Sequence, residues 1–246
     1  MKNRFSSIAL LVGSLLCCSC AVKPKKSMYV DYQTKTDLTF PLTGESLIGT
    51  GGRTLVQNPD HIYTRDQIFA IDIVALAPGS YPPELENLVD RALSGTLPVF
   101  RGGEGDDYKL NEKHYCYGRL IVSPGSGVVV DSKDGVPDGV PGRRNDWARA
   151  GNYVVVDHLN GEYSMLAHFQ TGSVLVNKGD SVEAGDPLGK CGNSGRSNLP
   201  HLHYHLQNPP FWFAGDALPA QFSHYYSNGE YVRRGEPVQG EIISQK

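Results

Sequence analysis

What this chain lacks narrows the possibilities first. No basic surplus is present: 23 Lys and Arg against 26 Asp and Glu give a formal charge of −3, a balance that calls for no nucleic acid as partner. The apolar run at residues 8–16 is about half of the ~20 residues a membrane-spanning helix needs. There is no His-Glu-x-x-His, so a helix-borne zinc site with a glutamate base is excluded. Cysteine is scarce and unevenly placed. Three of the five are Cys17, Cys18 and Cys20, leaving Cys116 and Cys191 for the rest of the chain. Two thiols make no zinc framework; in an oxidising compartment they could pair, and their spacing does not decide it.

What is present divides the chain. The 28 Gly and 16 Pro are scattered through 246 residues, which favours a turn-rich β domain over disorder. Lys2 and Arg4 precede the apolar run in the layout of a secretory signal, expected over residues 1–19. Cys17-Cys18-Ser19-Cys20 resembles a bacterial lipoprotein signal, in which a cysteine after a small residue becomes the lipidated first residue of the mature chain. That resemblance assigns lipidation to Cys20 and implies an exported protein anchored in the cell envelope, in the periplasm or at the outer membrane. Residues 20–37, with Lys23-Pro24-Lys25-Lys26, read as a polar tether. One main domain is expected over 38–246. Inside it, residues 75–113 form an insertion longer than a compact domain needs, and helical spacing after Pro82-Pro83 predicts one short helix over 84–93.

From Tyr117 onward the pattern is β. Asn160-Gly161 between two strand-like runs signals a hairpin, with His168 at its far end and His158, beside the turn, expected at the surface. Gly179-Asp180 and Gly185-Asp186 mark turns that fold short strands back on themselves. A histidine-rich strand follows within residues 195–206. Alternation sends His201, His203 and His205 to one face and Leu202, Tyr204 and Leu206 to the other. Two residues along a strand span roughly 6.5 Å, too far for both neighbours to ligate one zinc equally. The spacing suits one ligand and one acid or base. Upstream, Asp72 stands alone in the apolar run Phe69-Ala70-Ile71-Asp72-Ile73-Val74, where an ionised carboxylate needs a partner, and a cation would serve.

Together these segments resemble the lysostaphin-type, or LytM-like, zinc metallopeptidases that cut peptide bonds in bacterial peptidoglycan. The likeness runs through Gly151-Asn152, the Asn160-Gly161 hairpin, Tyr163 to His168, the Gly179 and Gly185 turns, Gly192-Asn193-Ser194-Gly195 and Pro200-His201-Leu202-His203. It covers about residues 118–207, with 38–74 as its front. It implies an all-β, mostly antiparallel fold and a zinc cofactor held by His61, Asp72 and His203, with His168 and His201 as the catalytic pair flanking the attacking water. Two positions depart from the family: its front His and Asp are usually separated by three residues, whereas ten lie between His61 and Asp72, and Leu199 stands where Gly often precedes Pro-His-Leu-His. His205 shares the strand face of His201 and His203 but lies about 13 Å from His201 along it and is expected outside the set of direct ligands. The implied function is zinc-dependent hydrolysis of peptidoglycan stems or cross-links. The partners are then peptidoglycan peptides, and the membrane through the anchor. Two other readings stay open. One is a non-catalytic LytM-like scaffold that regulates a wall hydrolase or binds wall material. The other is a biotinyl/lipoyl-like adaptor suggested by the Gly-Asp turns, which lacks a suitably placed lysine and leaves the histidines without a purpose.

Overall fold

A computed structural model describes residues 27–79, 109–143 and 146–245; the signal, Cys20 and the helix predicted over 84–93 lie outside them. The chain lays down β1 (Ser46–Thr50) and β2 (Ile71–Ala75), then β3 (Leu120–Val122) and β4 (Gly127–Lys133). The Asn160-Gly161 turn joins β5 (Asn152–Asp157) to β6 (Tyr163–Phe169). β7 (Ser181–Val182) and β8 (Pro187–Lys190) flank the second Gly-Asp turn, and β9 (Leu202–Gln207) carries His203 and His205. β10 (Ala217–Leu218), β11 (Phe222–Ser227), β12 (Glu230–Gly235) and β13 (Ile242–Ser244) complete the order.

In space the strands run β12-β11-β13-β1-β2-β9-β6-β5-β4-β7, with β10 also on β9 and β3 paired to β8. All these pairings are antiparallel, so the fold is all-β, with a single-turn 3-10 helix at Asn111–Lys113. The core takes alternate residues from neighbouring strands, as the pleat requires: Ile71 and Ile73, Val154 and Val156, and Leu202, Tyr204 and Leu206, beneath Leu38, Phe40 and Phe222. Every residue of β9 is buried. One face of that strand is core and the other is polar, so the polar face must find partners inside the protein.

At the end of β6 the alternation breaks. Leu166 belongs to the core, so His168 would follow it there. Instead the register against β5 passes from Ala167↔Tyr153 to Phe169↔Asn152, skipping His168, whose backbone is left-handed at φ 65. This bulge re-aims the chain: Phe169 enters the core and His168 turns into the cleft.

Cys116 and Cys191 are joined in a disulfide with Cα atoms 5.8 Å apart, clamping the segment before β3 to the end of β8. His158, expected at the surface, is 8% exposed. Its Nδ1 meets the Ser126 carbonyl at 2.9 Å and its Nε2 the Ser164 hydroxyl at 2.7 Å, because the chain beyond β5 folds back over the β3–β4 turn.

The segment read as a tether also differs over its described part. Glu162, fully buried, accepts hydrogen bonds from the Tyr32 hydroxyl (2.8 Å), the Lys35 N–H (2.6 Å), and the Thr36 N–H (2.8 Å) and hydroxyl (2.5 Å). Thr34 is tied to Gln221 and the Pro219 carbonyl. Residues 32–36 are thus a strap on the β5–β6 hairpin. Burial pushes the Glu162 carboxyl up, but the donors of Lys35, Thr36 and Tyr32 outweigh it and hold it below the ordinary value. The folded state therefore binds fewer protons there than the unfolded state. The stability this contact confers is complete above the ordinary carboxyl range and is lost as pH falls through the depressed value. Glu162→Gln should cost about 2–3 kcal/mol at neutral pH and flatten the loss of stability between about pH 5 and pH 3, read by denaturant unfolding across that range.

Candidate metal centre

β2 and β9 lie side by side with Asp72 directly opposite His203, and the two side chains meet at 2.9 Å between Asp72 Oδ1 and His203 Nδ1. The ten residues that separate His61 from Asp72 are accommodated in a loop that closes on itself. The Asn58 side-chain amide, fully buried, donates to the carbonyls of Gly52, Ile68 and Ala70, each at 3.2 Å, and its oxygen takes His61 Nδ1 at 2.9 Å. His61 Nε2 then lies 3.4 Å from Asp72 Oδ2. One nitrogen each from His61 and His203 and one oxygen of Asp72 all fall within 4.8 Å of one another, a group that could hold a metal ion.

His201, just ahead of β9, places Nε2 3.5 Å from Asp72 Oδ1, and the His168 ring lies 4.8 Å from the His201 ring. All five side chains line one cleft of about 270 Å³, rimmed by Arg149, Arg196, Trp212 and Phe213. The structure thus brings together the five site residues expected from sequence.

Hydrogen bonds on the outer sides of the rings fix which nitrogens face inward. His168 Nδ1 meets the Ser194 carbonyl at 2.7 Å and His201 Nδ1 the Leu199 carbonyl at 2.7 Å. A carbonyl only accepts, so Nδ1 carries the proton in both, as it does in His61 against the Asn58 oxygen. In the neutral ring Nε2 is then bare. The interior of the cluster is lined by imidazole lone pairs and a carboxylate with no donor among them, an arrangement that a cation satisfies. Two imidazoles and one carboxylate are also the composition of a catalytic zinc site that leaves a position open. The residues fit the metal.

Burial pulls the His61 pKa down to about 4, only partly opposed by Asp72. Burial, reinforced by the neighbouring His201 and His203, holds His168 well below the ordinary histidine value. For Asp72, burial acts upward but is overcome by His61 and His201, which keep its carboxyl well below the usual range. His201 goes the other way: burial lowers it, and the Asp72 carboxylate more than compensates, so it is the more basic of the two rings beside the ligand group.

The acceptors that set these tautomers were not legible as motifs, since two of them are backbone carbonyls that any residue supplies. Glycine was the available signal. Gly151 (φ 64) and Gly195 (φ 76) lie in the left-handed region, and a Cβ on Gly151 would stand 2.4 Å from the Ser194 oxygen. Only glycine lets these loops close so tightly, and their contact seats the carbonyl that orients His168. His205 is outside the ligand group; it is fully buried, with its Nδ1 at 3.1 Å from His203 Nε2.

Comparison with known proteins finds a family likeness for part of the site. Residues 111–217 match the model of peptidase family M23, a range that holds His168, His201 and His203, while His61 and Asp72 come from the chain before it. Over 90 residues, 35% of this chain, the protein is 38% identical to the peptidoglycan DD-endopeptidase ShyA of Vibrio cholerae. It is 33% identical over 89 residues, 36% of the chain, to an uncharacterized metalloprotease of Buchnera aphidicola. The aligned segments span 20% of the length of each of these relatives. The catalytic domain of the antimicrobial peptidase lysostaphin from Staphylococcus simulans aligns with 49% of this chain and 89% of its own, at 21% identity and a TM-score of 0.31. The likeness to peptidase family M23 accordingly rests on residues 111–217, under half of the chain.

Proposed function

We propose that this chain is a zinc-dependent endopeptidase that hydrolyses peptide bonds in the stems or cross-links of bacterial peptidoglycan. The observation that carries the reading is the convergence of four imidazoles and one carboxylate in a single cleft, three of the rings with their tautomers set from outside. His61, Asp72 and His203 would hold the zinc, which when bound would supply Lewis acidity to a water and to the scissile carbonyl. His201 accepts a proton at Nε2 while its Nδ1–H goes on donating to the Leu199 carbonyl, and the resulting imidazolium faces Asp72. The proton taken up at His201 Nε2 is the one available to the leaving amine, while His168, which burial keeps neutral with its Nδ1 proton directed at the Ser194 carbonyl, presents a bare Nε2 that accepts a hydrogen bond from the water. Trp212 and Phe213 on the rim limit the access of bulk water. Export and a lipid anchor at Cys20 would place this chemistry at the envelope, where the substrate lies.

Purified peptidoglycan digested with the zinc-loaded protein should release cross-link fragments detectable by mass spectrometry. Chelation should stop the release, and His201→Ala should slow it by about 10²–10⁴-fold while zinc remains bound. Stoichiometric zinc binding without release of any fragment would instead favour the regulatory scaffold.

A further inference from the structure

The polar face of β9 carries a second set of interactions that reaches the proposed ligand His203 from behind. His203 Nε2 lies 3.1 Å from His205 Nδ1, His205 Nε2 lies 3.0 Å from Gln207 Oε1, and the Gln207 amide nitrogen lies 2.6 Å from the Pro209 carbonyl and 2.8 Å from the Phe211 carbonyl. His205 and Gln207 are fully buried, and Trp212, carried by the same loop, covers the row with ring distances of 5.1 Å to His205 and 6.3 Å to His203. No bulk water reaches these contacts to exchange with them.

The direction of every proton in the row follows from its far end. Two carbonyls can be satisfied only by the NH₂ of Gln207, so its Oε1 faces His205 and accepts. His205 must therefore carry its proton on Nε2, which leaves Nδ1 bare. His203 Nε2 must then donate to it, which leaves His203 Nδ1 bare, and that atom is the one facing Asp72.

We propose that His205 and Gln207 are positioning residues for metal binding: fixed by the carbonyls of Pro209 and Phe211, they impose on His203 the tautomer and ring angle that turn its Nδ1 lone pair toward the cation. The proposal rests on the reading of His203 as a ligand. It assigns a role to a histidine that neither ligates nor touches substrate, and it ties the 209–213 loop to the metal site. A ligating histidine whose outer N–H has a fixed acceptor is the general condition for a well-oriented metal ligand.

The test is zinc affinity of the whole protein by chelator competition, alongside long-range nitrogen–proton NMR of the imidazoles in the zinc-loaded state. His205→Ala should weaken zinc binding about 10–100-fold. His205→Asn, whose side-chain oxygen can stand where Nδ1 stood, should recover most of that loss. In the unmodified protein the spectra should show His203 and His205 both protonated at Nε2, a readout that needs no variant to fold. Wild-type affinity in folded His205→Ala, an Asn variant as weak as the Ala variant, or His205 protonated at Nδ1 would each overturn the relay while leaving the endopeptidase reading intact. Failure of the unmodified protein to bind zinc would overturn the metal reading, and the relay with it.

Discussion

Asp72→Ala is expected to lower zinc affinity by about 10²–10³-fold and to abolish peptidoglycan cleavage at sub-saturating metal. Structural zinc binding through four ligands is worth about 10–16 kcal/mol, so one ligand accounts for roughly 3–4 kcal/mol, the free energy of that loss in affinity. Asp72 is also the group around which the others are arranged, within 3.5 Å of His61, His201 and His203. The metal-free variant should nevertheless be about as stable as the metal-free parent. The carboxylate is mostly buried and, without the metal, faces nitrogens whose lone pairs point at it, so its removal relieves a desolvation cost and gives up no hydrogen bond from those rings. The two effects separate in one experiment: thermal unfolding with and without zinc. The parent should show a metal-dependent rise in Tm that grows with zinc concentration, and the variant should show none. A variant that is unstable without zinc, or that keeps the metal-dependent rise, would refute this account of the carboxylate.

Replacing both Cys116 and Cys191 by serine, or reducing the bond, should cost about 4 kcal/mol of stability. The bond closes a loop with a sequence separation of 75, for which loop-closure entropy alone gives about 4–5 kcal/mol in the unfolded state. In a domain of this size that corresponds to a fall in Tm of about 8–16 °C. Activity per folded molecule should fall much less. The bond nevertheless sits near the site: Cys191 bridges Phe169, next to His168, and Asn193 two residues on is tied to Asn111. Calorimetry of oxidised and reduced protein checks the first claim, and initial rates at low temperature check the second. Equal Tm values for the two forms would show that the unfolded chain gains nothing from the missing cross-link.

Much of the fold could be read in the sequence where one physical pattern acted alone. The alternation in Leu202, Tyr204 and Leu206 against His203 and His205 gave both faces of β9 correctly, and Asn160-Gly161 marked the β5–β6 turn. The isolated carboxylate of Asp72 in an apolar run pointed to a compensating partner, which the register opposite His203 supplies. What escaped the sequence depended on long-range contacts. The strap over Glu162 joins residues 127 positions apart, and nothing in Lys35 or Thr36 announces it. The bulge that turns His168 into the cleft is a backbone event that the residue type alone does not announce. His158 looked like a surface turn residue because local spacing cannot show that Ser126 and Ser164 fold against it. The pairing of Cys116 with Cys191 likewise needed a distance.

The burial of β9 on both faces and its pairing along both edges, to β2 and β6, bear on how the protein would fail. Amides in such a strand exchange with solvent only when the whole domain opens, because no partial opening exposes them. The part of the site carried by β9 has no separate, weaker unit of its own. Hydrogen exchange at His203 and Tyr204 should track global unfolding, and on heating the loss of the metal centre should coincide with the loss of the fold rather than precede it.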